Sequence, residues 1–99
     1  MGFVQIIEFS TTKIDEMKRL GDEWEAAAGT ERRSGRRVLC RDRDQEDRYL
    51  NIVFFDSYED AMANSELPST QEFSGRLMAM IDGAPTFSNL EVLGDRDLS

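Results

Sequence analysis

Any chemistry in this chain has to run without imidazole, because its 99 residues include no histidine. That absence excludes histidine triads, imidazole general bases, HExxH zinc sites and a proximal-histidine haem site. Two amides stand in otherwise apolar runs: Gln5 within Phe3-Val4-Gln5-Ile6-Ile7-Glu8-Phe9, and Asn51 within Tyr49-Leu50-Asn51-Ile52-Val53-Phe54-Phe55. A buried amide left unpaired costs about 1–3 kcal/mol, so each needs a partner, either a ligand or a neighbouring protein group or water. The single tryptophan, Trp24, lies in an apolar helical stripe, where its ring serves as core or as a ligand platform and its N–H wants an acceptor. Arg32, Arg33, Arg36, Arg37, Arg41, Arg43 and Arg48 crowd one segment with Glu31, Asp42, Asp44, Glu46 and Asp47, which leaves it locally basic. Guanidinium forks of this kind bind carboxylates and other anions; they also make cross-strand ion pairs on a solvated hairpin or reach over an acidic partner subunit. Arg37, nearest the apolar Val38-Leu39-Cys40, is the candidate anion contact. Cys40 reads as a small buried apolar residue, with no imidazole or helix N-terminus to activate its thiol. Adjacent carboxylates such as Asp15/Glu16 and Glu59/Asp60 point apart on a helix and read as solubilising charge rather than an acid/base dyad. No phosphate-loop glycine motif, CxxC pair or EF-hand loop is present, and neither metal nor cofactor is expected.

The elements that must position these groups are legible from periodicity. Residues 3–9 form a short β-branched and aromatic run, a strand apolar on both faces. Ser10, Thr11 and Thr12 offer N-cap oxygens, and Ile14, Met17, Leu20, Trp24 and Ala27 then follow at helical spacing, with Gly29 as the stop. The basic run around Val38-Leu39-Cys40, the polar Asp44-Gln45-Glu46-Asp47 and the apolar run from Tyr49 to Phe55 predict an antiparallel hairpin. Ser57-Tyr58-Glu59-Asp60 is a loose capping box for a short helix that stops or bends at Leu67-Pro68. A further helix from about Ser69 carries Phe73, Leu77, Met80 and Ile81 and is predicted to end at Asp82-Gly83. Thr86 to Leu93 is the last strand, in a single domain over residues 1–94, and residues 95–99 form a tail.

A chain of 11.3 kDa supports one core and not two. Its net charge of -8 repels phosphate backbones, so no nucleic acid is expected as a partner. The RNA-recognition module shares the predicted element order, but Arg48-Tyr49-Leu50-Asn51-Ile52-Val53-Phe54-Phe55 lacks the glycine of its third-strand signature. One cysteine and no leader or apolar span predict a cytoplasmic protein with no membrane association.

The order βαββαβ folds most simply as a ferredoxin-like α+β domain, the split βαβ arrangement, with an antiparallel sheet and its helices on one face. The runs 3–9 and 50–55 are too apolar for a sheet with one bare face. A face of several hundred Å² left open marks an interaction surface, and a second copy packed sheet to sheet is the economical cover.

At this point the chain resembles the dimeric α+β barrel proteins, in particular the group that includes the antibiotic-biosynthesis monooxygenases and related haem-degrading enzymes. The resemblance runs through Val4 to Phe9, the first helix, the hairpin and Phe55-Asp56-Ser57-Tyr58-Glu59-Asp60-Ala61, which is similar to the family's lead-in to the second helix. Haem-cleaving members place an amide on the first strand, a tryptophan early in the second helix and a histidine later in it. Here Gln5 falls near the amide position, Asn64 near the tryptophan position and Phe73 near the histidine position, so two of the three depart. The resemblance implies instead a small, mainly apolar pocket between sheet and helices, with Gln5, Trp24, Asn51, Asn64 and Phe73 near it. For the chemistry of cofactor-free relatives that oxidise aromatic polyketides, Tyr49 and Tyr58 join Gln5, Trp24 and Asn51 as candidates. The expected protein is a homodimer through the sheet face that binds a small hydrophobic ligand. It is then either a cofactor-independent monooxygenase-like enzyme on an aromatic or polyketide-like substrate, or a non-catalytic dimerisation module whose pocket is filled by its own side chains.

Overall fold

A computed structural model of the chain describes residues 2–28 and 34–98. The elements follow in the order β1 (Phe3–Ser10), α1 (Ile14–Ala28), β2 (Ser34–Arg41), β3 (Arg48–Phe55), α2 (Tyr58–Glu66), α3 (Pro68–Met78) and β4 (Asp82–Glu91). Their strands form one four-stranded antiparallel sheet in the order β2-β3-β1-β4, so the chain has the ferredoxin-like α+β fold that its element order predicts. The expected helix stop at Gly29, the side chain of Ala27, and Arg32 and Arg33 of the basic run lie outside the described residues.

Register decides which side chains the helices cover. Phe3, Gln5, Ile7 and Phe9 stand opposite Phe55, Val53, Asn51 and Tyr49, and period-two alternation puts all eight on one side of the sheet. Every odd position of β3 from Tyr49 to Phe55 is buried, and every even one only half-buried. The covered side carries two core clusters. Phe3, Val53, Phe55 and Ala61 make one. Phe9, Met17 and Tyr49, with Leu77, Met80 and Ile81 packed against them, make the other. Between the clusters lie the two amide positions, Gln5 and Asn51. The other side of the sheet, with Val4, Ile6, Leu50, Ile52, Phe54 and Leu90, meets no helix; Leu90 is 46% exposed. Cys40 pairs with Leu50 in register and is half-buried on this side, rather than buried in the core as its apolar neighbours suggested.

Local rules account for most boundaries. The Ser57 hydroxyl accepts from the backbone N–H of Asp60 at 3.1 Å, the expected cap of α2. Leu67 ends that helix and Pro68 opens α3, since proline at the first helical position gives up only an N–H that has no helical partner. Two expectations need correction. The last helix ends at Met78 rather than Asp82-Gly83, and β4 begins at Asp82 rather than Thr86. Tertiary contacts explain both. Met80 N–H closes a turn on the Leu77 carbonyl, the Met80 carbonyl is taken by the Thr11 hydroxyl at 2.7 Å, and Asp82 pairs with Ser10 across an irregularity in register. Gly83 takes a φ of 76° in that stretch, where its lack of a Cβ removes the steric cost.

Thr11 is fully buried, with 0% of its surface exposed, and its hydroxyl both donates to Met80 and accepts from the Lys13 N–H at 3.0 Å. It therefore ties the start of α1 to the turn between α3 and β4, a larger role than the N-cap expected of it. Thr11→Val should leave both backbone groups unpaired and lower stability by about 1–3 kcal/mol, whereas Thr11→Ser keeps the hydroxyl and should cost less than half of that. Urea denaturation of the two variants at one protein concentration measures the difference.

Candidate functional site

The gap between the two core clusters is a cavity of about 340 Å³, bounded below by the sheet and above by α1, α2 and α3. Gln5, Trp24, Asn51, Asn64, Phe73 and Arg37 all line it. A second hollow of about 240 Å³ adjoins it toward the Phe9 end and shares Arg37, Asn51, Phe73 and Leu77 with the first. The shared four come from three different elements, β2, β3 and α3, so the wall between the hollows exists only in the folded chain.

Each candidate has its own local reason to be there. The Gln5 Nε2–H donates to Asn89 Oδ1 at 3.1 Å, directly across from it on β4, so its amide is satisfied by a neighbouring side chain. Asn51 is 9% exposed and its side chain has no hydrogen-bond partner among the described residues, although it lines both hollows. Asn64 is buried on α2, and its backbone carbonyl accepts from the Leu67 N–H that ends the helix. Trp24 stacks on Phe73 with ring centroids 5.3 Å apart and planes inclined by 30°, which makes one aromatic wall from α1 and α3. The Trp24 Nε1–H is buried without a partner among the described residues, as are the hydroxyls of Ser69 and Thr70 on α3.

Arg37 is held more closely than a surface arginine. Its guanidinium pairs with Glu25 at 2.8 Å and lies 5.8 Å from the Trp24 ring centroid. It also sits against Gly21: a Cβ built there would fall 2.8 Å from Nη2 and 2.9 Å from Nη1. Gly21, Trp24 and Glu25 follow at i, i+3 and i+4, one face of α1, so a single helical stripe makes the seat. An interior helix glycine costs roughly 1 kcal/mol relative to alanine, and that penalty was the available signal for a residue otherwise unremarked in the sequence. Three other arginines of the same run make contacts elsewhere. Arg48 pairs with Glu8 at 3.2 Å, while Arg36 and Arg41 lie over the rings of Phe54 and Tyr49.

Two aromatic candidates fall outside the cavity. Tyr49 is 5% exposed and stacks on Phe9 in the core, and Tyr58 is 54% exposed and packs edge-on against Phe3. Among the described residues no group of three or more Cys, Asp or Glu side chains is arranged to hold a metal ion, and no helix is long and apolar enough to cross a membrane.

No protein-family model matches the chain, and no curated protein matches it by sequence. Solved structures do. SnoaB, a cofactor-independent oxygenase from Streptomyces nogalater, superposes with a TM-score of 0.78 at 15% identity, over 95% of each chain. A protein from Caulobacter crescentus described as a candidate antibiotic biosynthesis monooxygenase gives 0.80 at 12% identity, over 94% of this chain and 91% of that one. A similarly described protein from Chloroflexus aurantiacus gives 0.74 at 18% identity, over the whole of both. Identities this low speak for the fold alone, and the chain has the fold of the antibiotic-biosynthesis-monooxygenase-like α+β proteins.

Proposed function

We propose that this chain is a small-molecule-binding protein of the dimeric α+β barrel type, and that it acts on an aromatic or polyketide-like substrate in the manner of a cofactor-independent monooxygenase. The observation that carries the reading is the cavity, in which an unpartnered buried amide, Asn51, stands beside the Trp24–Phe73 aromatic wall. A cavity of about 340 Å³ is within the usual range for small-molecule sites, and its mix of aromatic walls with a few amides and hydroxyls is the usual lining. The alternative, a dimerisation module with a self-filled pocket, is less well supported because the space between Trp24 and the sheet is open. Oxygenation without a cofactor requires an electron-rich substrate and a protein that orients it and keeps water away. In this reading the stacked rings take the substrate's flat face, Asn51 accepts from or donates to one of its oxygens, and burial among Ile7, Val53 and Phe87 desolvates it.

Trp24 is the chain's only tryptophan and lines the cavity, so its emission reports on changes there. Titration with polycyclic aromatic phenols and quinones should change Trp24 fluorescence saturably and raise the Tm; a broad set that does neither removes the ligand-binding reading. Oxygen uptake with any ligand that binds then separates enzyme from carrier.

The sheet side that meets no helix is the expected homodimer face. Ile6, Ile52 and Phe54 stand near its centre, on the two inner strands β1 and β3. A second copy packed sheet to sheet would bury them. Sedimentation at micromolar concentration should give a dimer for the native chain and a monomer for Ile52→Asp, since one unpaired charge in each copy would be buried at the contact. A native monomer at that concentration rejects the sheet-to-sheet dimer.

A further inference from the structure

We infer that the cavity takes a ligand bearing one acidic group, and that Arg37, seated in the notch at Gly21, is its anchor. The inference rests on the ligand-binding reading above and adds the chemical class of the ligand. Among the described residues lining the larger cavity, Arg37 is the single charged one; the others are apolar, amide or hydroxyl. The acidic side chains near it, Asp22 and Glu25, line the adjoining smaller hollow together with Lys18, not the larger one. Among the described residues, a chain of net charge -8 thus presents one positive charge to this cavity and no negative one.

The Arg37 side chain is 24% exposed, so most of its hydration is already gone. A guanidinium carries five N–H donors, and the ion pair with Glu25 joins one terminal nitrogen to one carboxylate oxygen. The cation is therefore fixed on one side and left with donors to spend on a second acceptor, while it borders both hollows. Fixing matters because a long, free arginine loses conformational freedom when it clasps a ligand, and one already held against α1 loses less. Gly21 makes that hold possible, since any side chain at the position would stand where the guanidinium nitrogens are. Glu25 and Gly21 are in this sense positioning residues and Arg37 is the binding residue. An aromatic carboxylate or phenolate satisfies the whole arrangement: its ring lies along Trp24 and Phe73, and its acidic oxygens meet the guanidinium.

Two probes of nearly the same shape, one anionic and one neutral, test this: 2-naphthoate and 2-naphthamide. Their affinities are measured by calorimetry, and the site is identified from the single indole N–H resonance that Trp24 supplies. The native protein should prefer the carboxylate by about ten-fold, the effect of a charge-assisted hydrogen bond in a shielded site. Arg37→Met should abolish the preference while naphthamide still shifts the indole signal. Gly21→Ala should reduce the preference several-fold without lowering the Tm, because alanine favours the helix and only the flexible end of Arg37 has to move. Equal affinities in the native protein, or a preference that survives Arg37→Met, overturn the anion anchor while the shifted indole keeps the cavity as a ligand site. If neither probe shifts the indole resonance, the ligand-binding reading fails and the anchor with it.

Discussion

A four-stranded sheet has two faces, and this chain has helices for one of them. Almost everything else in the molecule follows from that shortage. The runs around β1 and β3 are apolar at odd and even positions alike, so helices that bury Phe3, Phe9, Tyr49 and Phe55 leave Ile6, Ile52 and Phe54 facing away from them. Water does not tolerate a continuous apolar sheet face at this scale without some consequence for association. The covered face, relieved of any need to be wholly apolar, can hold polar groups at its centre.

Those groups divide the core. Phe3 and Phe55 pack at one end of the sheet and Phe9 and Tyr49 at the other, each against its own part of the helical layer. Gln5 and Asn51 occupy the middle, where a pair of leucines would have joined the clusters into one and closed the space above. The two amides meet different fates. Gln5 finds Asn89 across the β1–β4 ladder, and Asn51, flanked by Ile7 and Leu39 in register, finds none among the described residues. Asn51 stands in the wall of both hollows, with its amide open to them.

Arg37 shows how an edge strand and a helix cooperate. It lies on β2, opposite Val53, and reaches the stripe Gly21-Trp24-Glu25 on α1. Ion pairing, a ring face and the space left by a missing Cβ act on one guanidinium from one helix. The absent histidine belongs to the same picture: Phe73, on the helix where haem-cleaving relatives are expected to carry their ligand, instead stacks on Trp24. The position is committed to an aromatic wall, and the described cavity lining combines rings with amides, hydroxyls and one cation.

The order of elements, the cap at Ser57, the break at Leu67-Pro68 and the strand runs were legible in the sequence because each depends on short-range spacing. So were Gln5 and Asn51 as polar interruptions of apolar strands, and Arg37 as the arginine nearest an apolar centre. What local spacing could not decide was where α3 stops: Met80 and Ile81 keep helical spacing, but Thr11, 69 residues away from Met80, captures the carbonyl that turns the chain toward β4. Nor could it decide that Asn89 would satisfy Gln5, that Tyr49 and Tyr58 would stand outside the cavity, or that Gly21 would receive a guanidinium. These outcomes depend on sheet register and on the approach of α1 to β2, distances set by the packing of the whole domain. The sequence alone determined which groups were available for chemistry; the tertiary structure determined which of them share one space, because only packing brings Gln5, Trp24, Asn51 and Phe73 to a common wall.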